Sequence, residues 1–291
     1  MPMSDALTEP SPRVSLHSAC ILHSNIATDV RVARDAGYTG VELGIPKLIR
    51  YLDAGYQVGD LAGLLGDLRV TMLDVLLPIE TADRERRRKL LGLCERMAPV
   101  AAQLGCQALQ VVALDEFASD DWPAQRRVLV ESLRELSDIA HGFGVRLAVE
   151  PVSFSRFRSL RHAVELVEAV GRDRTGLVLD TWHLWTSGIP WDDVAAVDPA
   201  LVCCAHIGDT APKGGAAWSD DDRTALPGDG VLPLREAIDA IRATGYSGSW
   251  SVEMLSRRHR EWDPAVLAGE LIRRTRELLG PPATADVAVG H

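Results

Sequence analysis

Two short apolar runs, each closing on a carboxylate, set the tightest limit on how this chain can fold. Residues 145–150 read V-R-L-A-V-E and residues 176–180 read G-L-V-L-D. Runs of this length, rich in Val and Leu and without polar alternation, suit strands buried on both faces of a parallel sheet. Between them, Leu160, Ala163, Val164, Leu166, Val167 and Val170 recur near helical spacing with charges interspersed. Strand, helix, strand, with an acid at each strand end, predicts a βαβ unit that opens into a polar site.

The same alternation fills the chain. Strands are expected at 14–22, 40–44, 69–77, 108–113, 145–150, 176–180, 201–207 and 248–254. Helices are expected at 27–36, 60–65, 82–104, 123–141, 159–170, 191–196, 234–243 and 263–279. Gly falls just past several of them, in A-G-Y at 36–38, L-G-C at 104–106, G-F-G at 142–144 and T-G-Y at 244–246, as helix ends favour. Asp263-Pro264 reads as an N-cap followed by Pro at the first helical position. Eight such alternations without a break in composition predict an α/β fold, a (β/α)8 TIM barrel. It is expected to be one catalytic domain over 13–280, between loose tails at 1–12 and 281–291. No strand is followed by G-x-G-x-x-G, which argues against a dinucleotide-binding doubly wound sheet.

Composition narrows the partners. Forty-one acidic against 31 basic residues give a formal net charge of −10, which argues against nucleic acid or an anionic membrane as partner. No apolar run approaches the roughly 18 residues of a membrane span. The opening M-P-M-S-D-A-L-T-E-P-S-P-R lacks the basic and apolar regions of a signal peptide. The five cysteines, at 20, 94, 106, 203 and 204, contain no C-x-x-C and are odd in number. Buried thiols in a reducing, cytoplasmic compartment are therefore expected.

The carboxyl ends of the last four strands carry Glu150, Asp180, His206 and Glu253. Any one acid there is ordinarily a loop cap or an ion-pair partner. Four such groups on consecutive barrel strands converge, and three carboxylates would repel one another unless a cation sat among them. The set predicts one divalent metal ion, with Mn²⁺, Mg²⁺, Co²⁺, Fe²⁺ or Zn²⁺ suiting oxygen-rich ligands with one nitrogen. The longest irregular stretch, 208–230, follows the seventh strand and so belongs on the active-site face of a barrel.

Six motifs stand in order along the chain: V-E-P at 149–151, D-T-W-H at 180–183, H-I-G-D at 206–209, D-R at 222–223, P-G-D-G at 227–230 and S-V-E at 251–253. On these, over residues 14–279, the chain resembles the xylose isomerase-like barrels, the sugar phosphate isomerases/epimerases. Within that family, P-K-L-I-R-Y-L at 46–52, L-S-D-I-A at 136–140, G-L-V-L-D at 176–180 and the loop at 220–230 look closest to 2-keto-myo-inositol (inosose) isomerases.

The resemblance implies a divalent-metal-dependent isomerase or epimerase of a keto-polyol, with a small-molecule sugar or cyclitol as substrate. Proton abstraction would lead to a metal-bound cis-enediolate. The resemblance makes Glu150 and Glu253 the proton-transferring pair and leaves Asp180 and His206 mainly as ligands. It carries His183 to a substrate oxygen or to the surroundings of the metal, and Arg223 to a substrate contact. Glu42, ending the second strand, is a candidate for a substrate hydroxyl or for a structural role. Trp182, like Trp185 and Trp218, is a candidate for a wall against the sugar ring or for core packing. Lys47 reads as solvated, and neither His17 nor His23 as a ligand. A homo-oligomer is the family expectation.

After Glu150 the run P-V-S-F-S-R-F-R departs from the inosose isomerases in length and residues. It would set Arg156 or Arg158 near the pocket, which is compatible with a carboxylated or phosphorylated substrate, or with a glycoside. A lyase on the same scaffold is the runner-up: an inosose or dehydroshikimate dehydratase, or a deglycosidase subunit that eliminates an aglycone from an oxidised glycoside. It begins with the same proton abstraction. A phosphodiesterase of this fold needs further histidines on the second and third strands, which end here in Glu42 and around 77–80. A non-catalytic sugar-binding protein is disfavoured by the complete ligand set.

Overall fold

Eight parallel strands close into a barrel: β1 Val14–His17, β2 Gly40–Gly44, β3 Arg69–Leu76, β4 Ala108–Val112, β5 Arg146–Glu150, β6 Thr175–Asp180, β7 Val202–Ile207 and β8 Trp250–Val252. Each pairs with the next, and β1 pairs with β8. The computed structural model describes residues 12–215 and 217–280, so all but Pro12 of the expected tails lies outside the described residues. The outer layer is α1 Ile26–Asp35, α2 Ile45–Asp53, α3 Val58–Leu65, α4 Arg84–Gln103, α5 Trp122–His141, α6 Leu160–Val170, α7 Thr181–Thr186, α8 Trp191–Ala195, α9 Leu234–Ala243 and α10 Pro264–Leu279. No helix among the described residues is long and apolar enough to cross a membrane.

Two helices, α2 and α7, go beyond the expected set, and two strands are shorter than expected. α2 starts directly from β2, with Pro46 in its first turn, where a missing N–H costs no helical bond. β1 stops at His17 because a 3₁₀ turn, Ser18–Ile21, takes over. The Ala19 N–H donates to His17 Nδ1 at 3.0 Å and caps that turn. β8 spans only Trp250–Val252 of the expected 248–254.

The barrel interior is graded along its axis. Met72, Ala108, Ala148, Val178 and Cys204, from β3 to β7, form a small buried apolar cluster. Two residues further along the same five strands stand Asp74, Gln110, Glu150, Asp180 and His206. Side chains share a face at a spacing of two, so one inward face changes from apolar to polar toward the carboxyl ends. The larger apolar core, including Leu133, Leu136, Leu147, Val149, Leu166, Leu177 and Leu179, joins barrel and helices.

Lys47, expected to be solvated, is only 4% exposed. Because α2 follows β2 without a loop, its lysine lies over the turn after β1. Its Nζ is 2.8 Å from Asp29 Oδ2 of α1 and donates to the Ser18 and Ile21 carbonyls at 3.1 and 2.8 Å. Burial lowers the Lys47 pKa from the usual lysine value, against the pull of Asp29. Asp29→Ala would leave the ammonium buried without its counter-ion, a loss of about 3–5 kcal/mol readable by urea unfolding. Asp29→Ala/Lys47→Met is expected to recover much of it. Equal losses in the single and double variants would show that Asp29 acts through its bonds to Ser18 and Ser24 instead.

Candidate metal centre and active site

The polar end of the barrel receives one residue from each strand: His17, Glu42, Asp74, Gln110, Glu150, Asp180, His206 and, one position past β8, Glu253. They form a connected set. His206 Nδ1 is 3.1 Å from Glu253, 3.5 Å from Glu150 and 3.8 Å from Asp180, while its Nε2 is 3.1 Å from Glu42. His17 Nε2 lies 3.4 Å from Glu42, 3.6 Å from Asp74 and 4.0 Å from Glu253. Gln110 Nε2 donates to Glu150 Oε2 at 2.8 Å.

Two local structures bring in the remaining groups. Asp180 is the N-cap of α7: its Oδ1 accepts the His183 N–H at 2.9 Å, the usual bond from an N-cap side chain to the third helical position. That fixes D-x-x-H as a unit and leaves Oδ2 for the barrel. The loop after β7 is anchored by Asp209, whose carboxylate accepts from the N–H groups of Thr210, Gly228, Gly230 and Leu232 at 2.8 to 3.2 Å. A side chain at Gly230 would meet Asp209 Oδ1 at 2.0 Å, so this closure requires glycine. The anchored loop delivers Arg223, 1% exposed. Its Nη1 is 2.9 Å from Asp180 Oδ2 and 2.6 Å from Glu253 Oε2, and its Nη2 lies against His183 Nε2. The Ser153 N–H donates to the other His183 nitrogen at 3.1 Å.

Electrostatics follow from this crowding. Five carboxylates meet two imidazoles and one guanidinium, so two negative charges stay unbalanced even with both rings protonated. Burial pushes Glu150 up to about 7 and Asp74 up to about 6. Burial also opposes ionisation of Glu253, but Arg223 and His17 outweigh it and hold that group well below the carboxylate range. Against burial, Glu42 holds His206 well above the usual imidazole value, and Glu42, Glu253 and Asp74 raise His17 to about 9. Burial, then Arg223, keeps His183 neutral. Two glutamates pushed in opposite directions within one site suit an acid and a base.

The donor set fits a divalent ion. One atom each from Glu150, Asp180, His206 and Glu253 lie within 4.8 Å of one another. Tetrahedral zinc donors stand roughly 3.3–3.6 Å apart, close to the spacings around His206 Nδ1. Glu150 Oε1 is buried with no hydrogen-bond partner, an acceptor that a cation would satisfy.

Other expected site residues are placed differently. Glu42 is fully buried, in mid-strand and 3.1 Å from His206 Nε2. Trp182 is also fully buried, the core-packing alternative, and the Arg223 guanidinium lies 4.8 Å over its ring. Trp218 packs edge-on to Trp182 and tilted against Trp185. The charge of Arg156 is answered by Asp115 and Asp120 at 3.3 and 3.1 Å. Arg158 is exposed and lines a cavity of about 310 Å³ with Trp122, Phe154 and His162. Phe154 joins that cavity to the site, its ring 5.5 Å from that of His183. Sequence reasoning named His17 only to set it aside as a ligand, and passed over Asp74 and Gln110. The two-residue step beyond Ser15, Met72 and Ala108 is the signal that marks them.

Comparison with known proteins agrees with this architecture. A sequence model of the family described as "Xylose isomerase-like TIM barrel" matches residues 30–278. The chain is 28% identical to an inosose isomerase of Bacillus licheniformis over 262 residues, 88% of this chain and 91% of that protein. It is 26% identical to a 3-dehydroshikimate dehydratase of Pseudomonas putida, over 76% of this chain and 34% of that protein. Among solved structures, the IOLI protein with a binding zinc atom superposes with a TM-score of 0.85 at 25% identity, covering 92% of this chain and 98% of that one.

Because Glu150 sits near 7, a cation must displace its proton below that pH. His206, held well above the usual imidazole value, must also give up a proton, so Mn²⁺ affinity, titrated calorimetrically at pH 6, 7 and 8, is expected to fall as the pH drops throughout and to fall more steeply below about 7, by up to a further tenfold per unit. A slope that does not steepen below 7 would show that Glu150 is not a ligand.

Proposed function

Because the chain belongs to the xylose isomerase-like TIM barrel family, we propose that it is a divalent-metal-dependent isomerase or epimerase of a keto-polyol, of the inosose or ketose type. It is an enzyme, as its relatives named isomerase and dehydratase are. The observation that carries the finer reading is the convergence of Glu150, Asp180, His206 and Glu253, with the unpartnered Glu150 Oε1 among them.

Those four residues would hold the ion, whose contribution when bound is Lewis-acid polarisation of a ketone oxygen. Glu253, kept ionised by Arg223 and His17, accepts the proton from the carbon beside the carbonyl. Glu150 takes up a proton from solvent or from the substrate hydroxyl and returns it at the neighbouring carbon or on the other face of the same carbon. Neutral His183 orients a substrate oxygen. The Arg223 guanidinium, already directed at the site, offsets negative charge that develops on that oxygen. The five free cysteines go with a cytoplasmic location.

A lyase outcome is the second reading, favoured by the similarity to a 3-dehydroshikimate dehydratase over 76% of the chain. It uses the same first proton transfer and differs in whether a leaving group stands β to the carbonyl.

The test incubates Mn²⁺-loaded protein in D₂O with a panel of inososes, ketohexoses and dehydroshikimate, the paramagnetic ion being removed only after the reaction and before NMR. Deuterium is expected at a carbon next to the carbonyl of one of them. The rate should fall by about 10²–10⁴-fold in Glu253→Gln with its metal content checked. An isomerised product marks an isomerase, and an eliminated one the lyase. Absence of exchange with every compound, in protein that holds the ion, would overturn the keto-polyol reading.

A further inference from the structure

Glu42 is a fully buried carboxylate outside the four-residue set of Glu150, Asp180, His206 and Glu253, although with Cys204 and His206 it forms a second, three-residue group. Its surroundings are specific. Oε2 is 3.1 Å from His206 Nε2, and Oε1 is 3.4 Å from His17 Nε2. These are close charge contacts, not aligned hydrogen bonds: among the described residues neither Glu42 oxygen, nor His17 Nε2 or His206 Nε2, has a hydrogen-bond partner. A carboxylate stripped of water must be answered by its neighbours, and here the neighbours are two imidazoles.

The contacts still favour one tautomer of each ring. His17 Nδ1 accepts the Ala19 N–H at 3.0 Å, so the His17 proton sits on Nε2 and faces Glu42. With Glu42 ionised, His206 likewise presents Nε2–H to it. A neutral His206 ring then carries its lone pair on Nδ1, the nitrogen turned toward Glu150, Asp180 and Glu253. The imidazole ring itself stands between Glu42 and that cluster.

We propose that Glu42, held in turn by His17, is a positioning residue that fixes His206 with Nδ1 presented to the cation. This inference rests on the reading of the metal centre and adds two residues from β1 and β2, strands that supply none of its ligands. Metal-binding histidines whose second nitrogen donates to a carboxylate lose about 10–100-fold in affinity when the carboxylate is removed.

The test uses protein labelled with ¹⁵N-histidine and loaded with Zn²⁺. The His206 Nδ1 resonance is expected to be shifted by the metal, while Nε2 carries a slowly exchanging proton that is lost in Glu42→Ala. By chelator competition, Glu42→Ala should bind Zn²⁺ about 10–100-fold more weakly than wild type. Glu42→Gln keeps the shape and one acceptor and should fall between. A role in stability alone would move the unfolding midpoint but neither the ring assignment nor the Zn²⁺ affinity. Should Glu42→Ala fail to fold, the wild-type spectrum and Glu42→Gln still decide. Coordination through Nε2, or wild-type affinity in the Glu42 variants, would overturn the proposal. Wild-type protein that binds no Zn²⁺ would instead overturn the metal centre.

Discussion

Mutual repulsion among Glu42, Asp74, Glu150, Asp180 and Glu253 is the constraint that the rest of this barrel answers. In water, five carboxylates could be kept apart by solvent. Here they share the dry end of one barrel, where Coulomb energies are larger and ionic screening is weak. Their neighbours are arranged accordingly. His206 reaches four of them from the centre, His17 bridges Glu42, Asp74 and Glu253, and Arg223 spans Asp180 and Glu253 from above. What these cations leave uncompensated is met by raised pKa values at Glu150 and Asp74, or by a divalent ion. The two remedies compete for Glu150, which ties metal loading to pH.

The barrel can hold such a set because the strands separate the apolar and polar tasks within two residues. Met72, Ala108, Ala148, Val178 and Cys204 fill the space below with small and medium side chains. The next inward position on each strand is therefore supported from beneath and has little room to reorient. Parallel register does the alignment, as in the pairing of Asp180 with His206 across β6 and β7. The loop after β7 then needs only one firm anchor. The four N–H bonds of Asp209 supply it, so Arg223 arrives from a segment that is otherwise irregular.

Much of this was legible without coordinates, for a physical reason. A parallel strand buried on both faces has no other use for Glu150, Asp180 or His206, so a polar residue at its end stands out against the apolar run. His17 and Asp74 do not stand out in the same way. His17 is followed by Ser-Ala-Cys-Ile, which reads as more strand until the Ala19 bond to its ring turns the chain. Asp74 lies inside β3, whose pairing with β2 is interrupted by an irregularity at Val41/Glu42, and the strand end drew attention instead. Lys47 failed, and the two readings of Trp182 stayed open, for a third reason. Their environments depend on which loop or arginine covers them, a tertiary fact that residue type does not encode. The short helix α7 was hidden because its cap, Asp180, already had a role as a strand-end acid.

The division between strands and loops also bears on how one scaffold serves several outcomes. Glu150, Asp180, His206 and Glu253 are held by barrel strands or lie immediately beyond them, so the proposed first proton transfer would belong to the barrel and not to its loops. Residues 151–158 and 208–230 decide what reaches those groups, and they are loops. In this chain they contribute Ser153 and Phe154 beside His183, an exposed Arg158 further out, and Arg223 over the carboxylates. A change in these segments alters which side of the substrate meets an acid without disturbing the charged floor beneath. Under the proposed mechanism, a barrel of this kind would give either an isomerase or a dehydratase: one proton abstraction, with the fate of the resulting carbanion set by the loops.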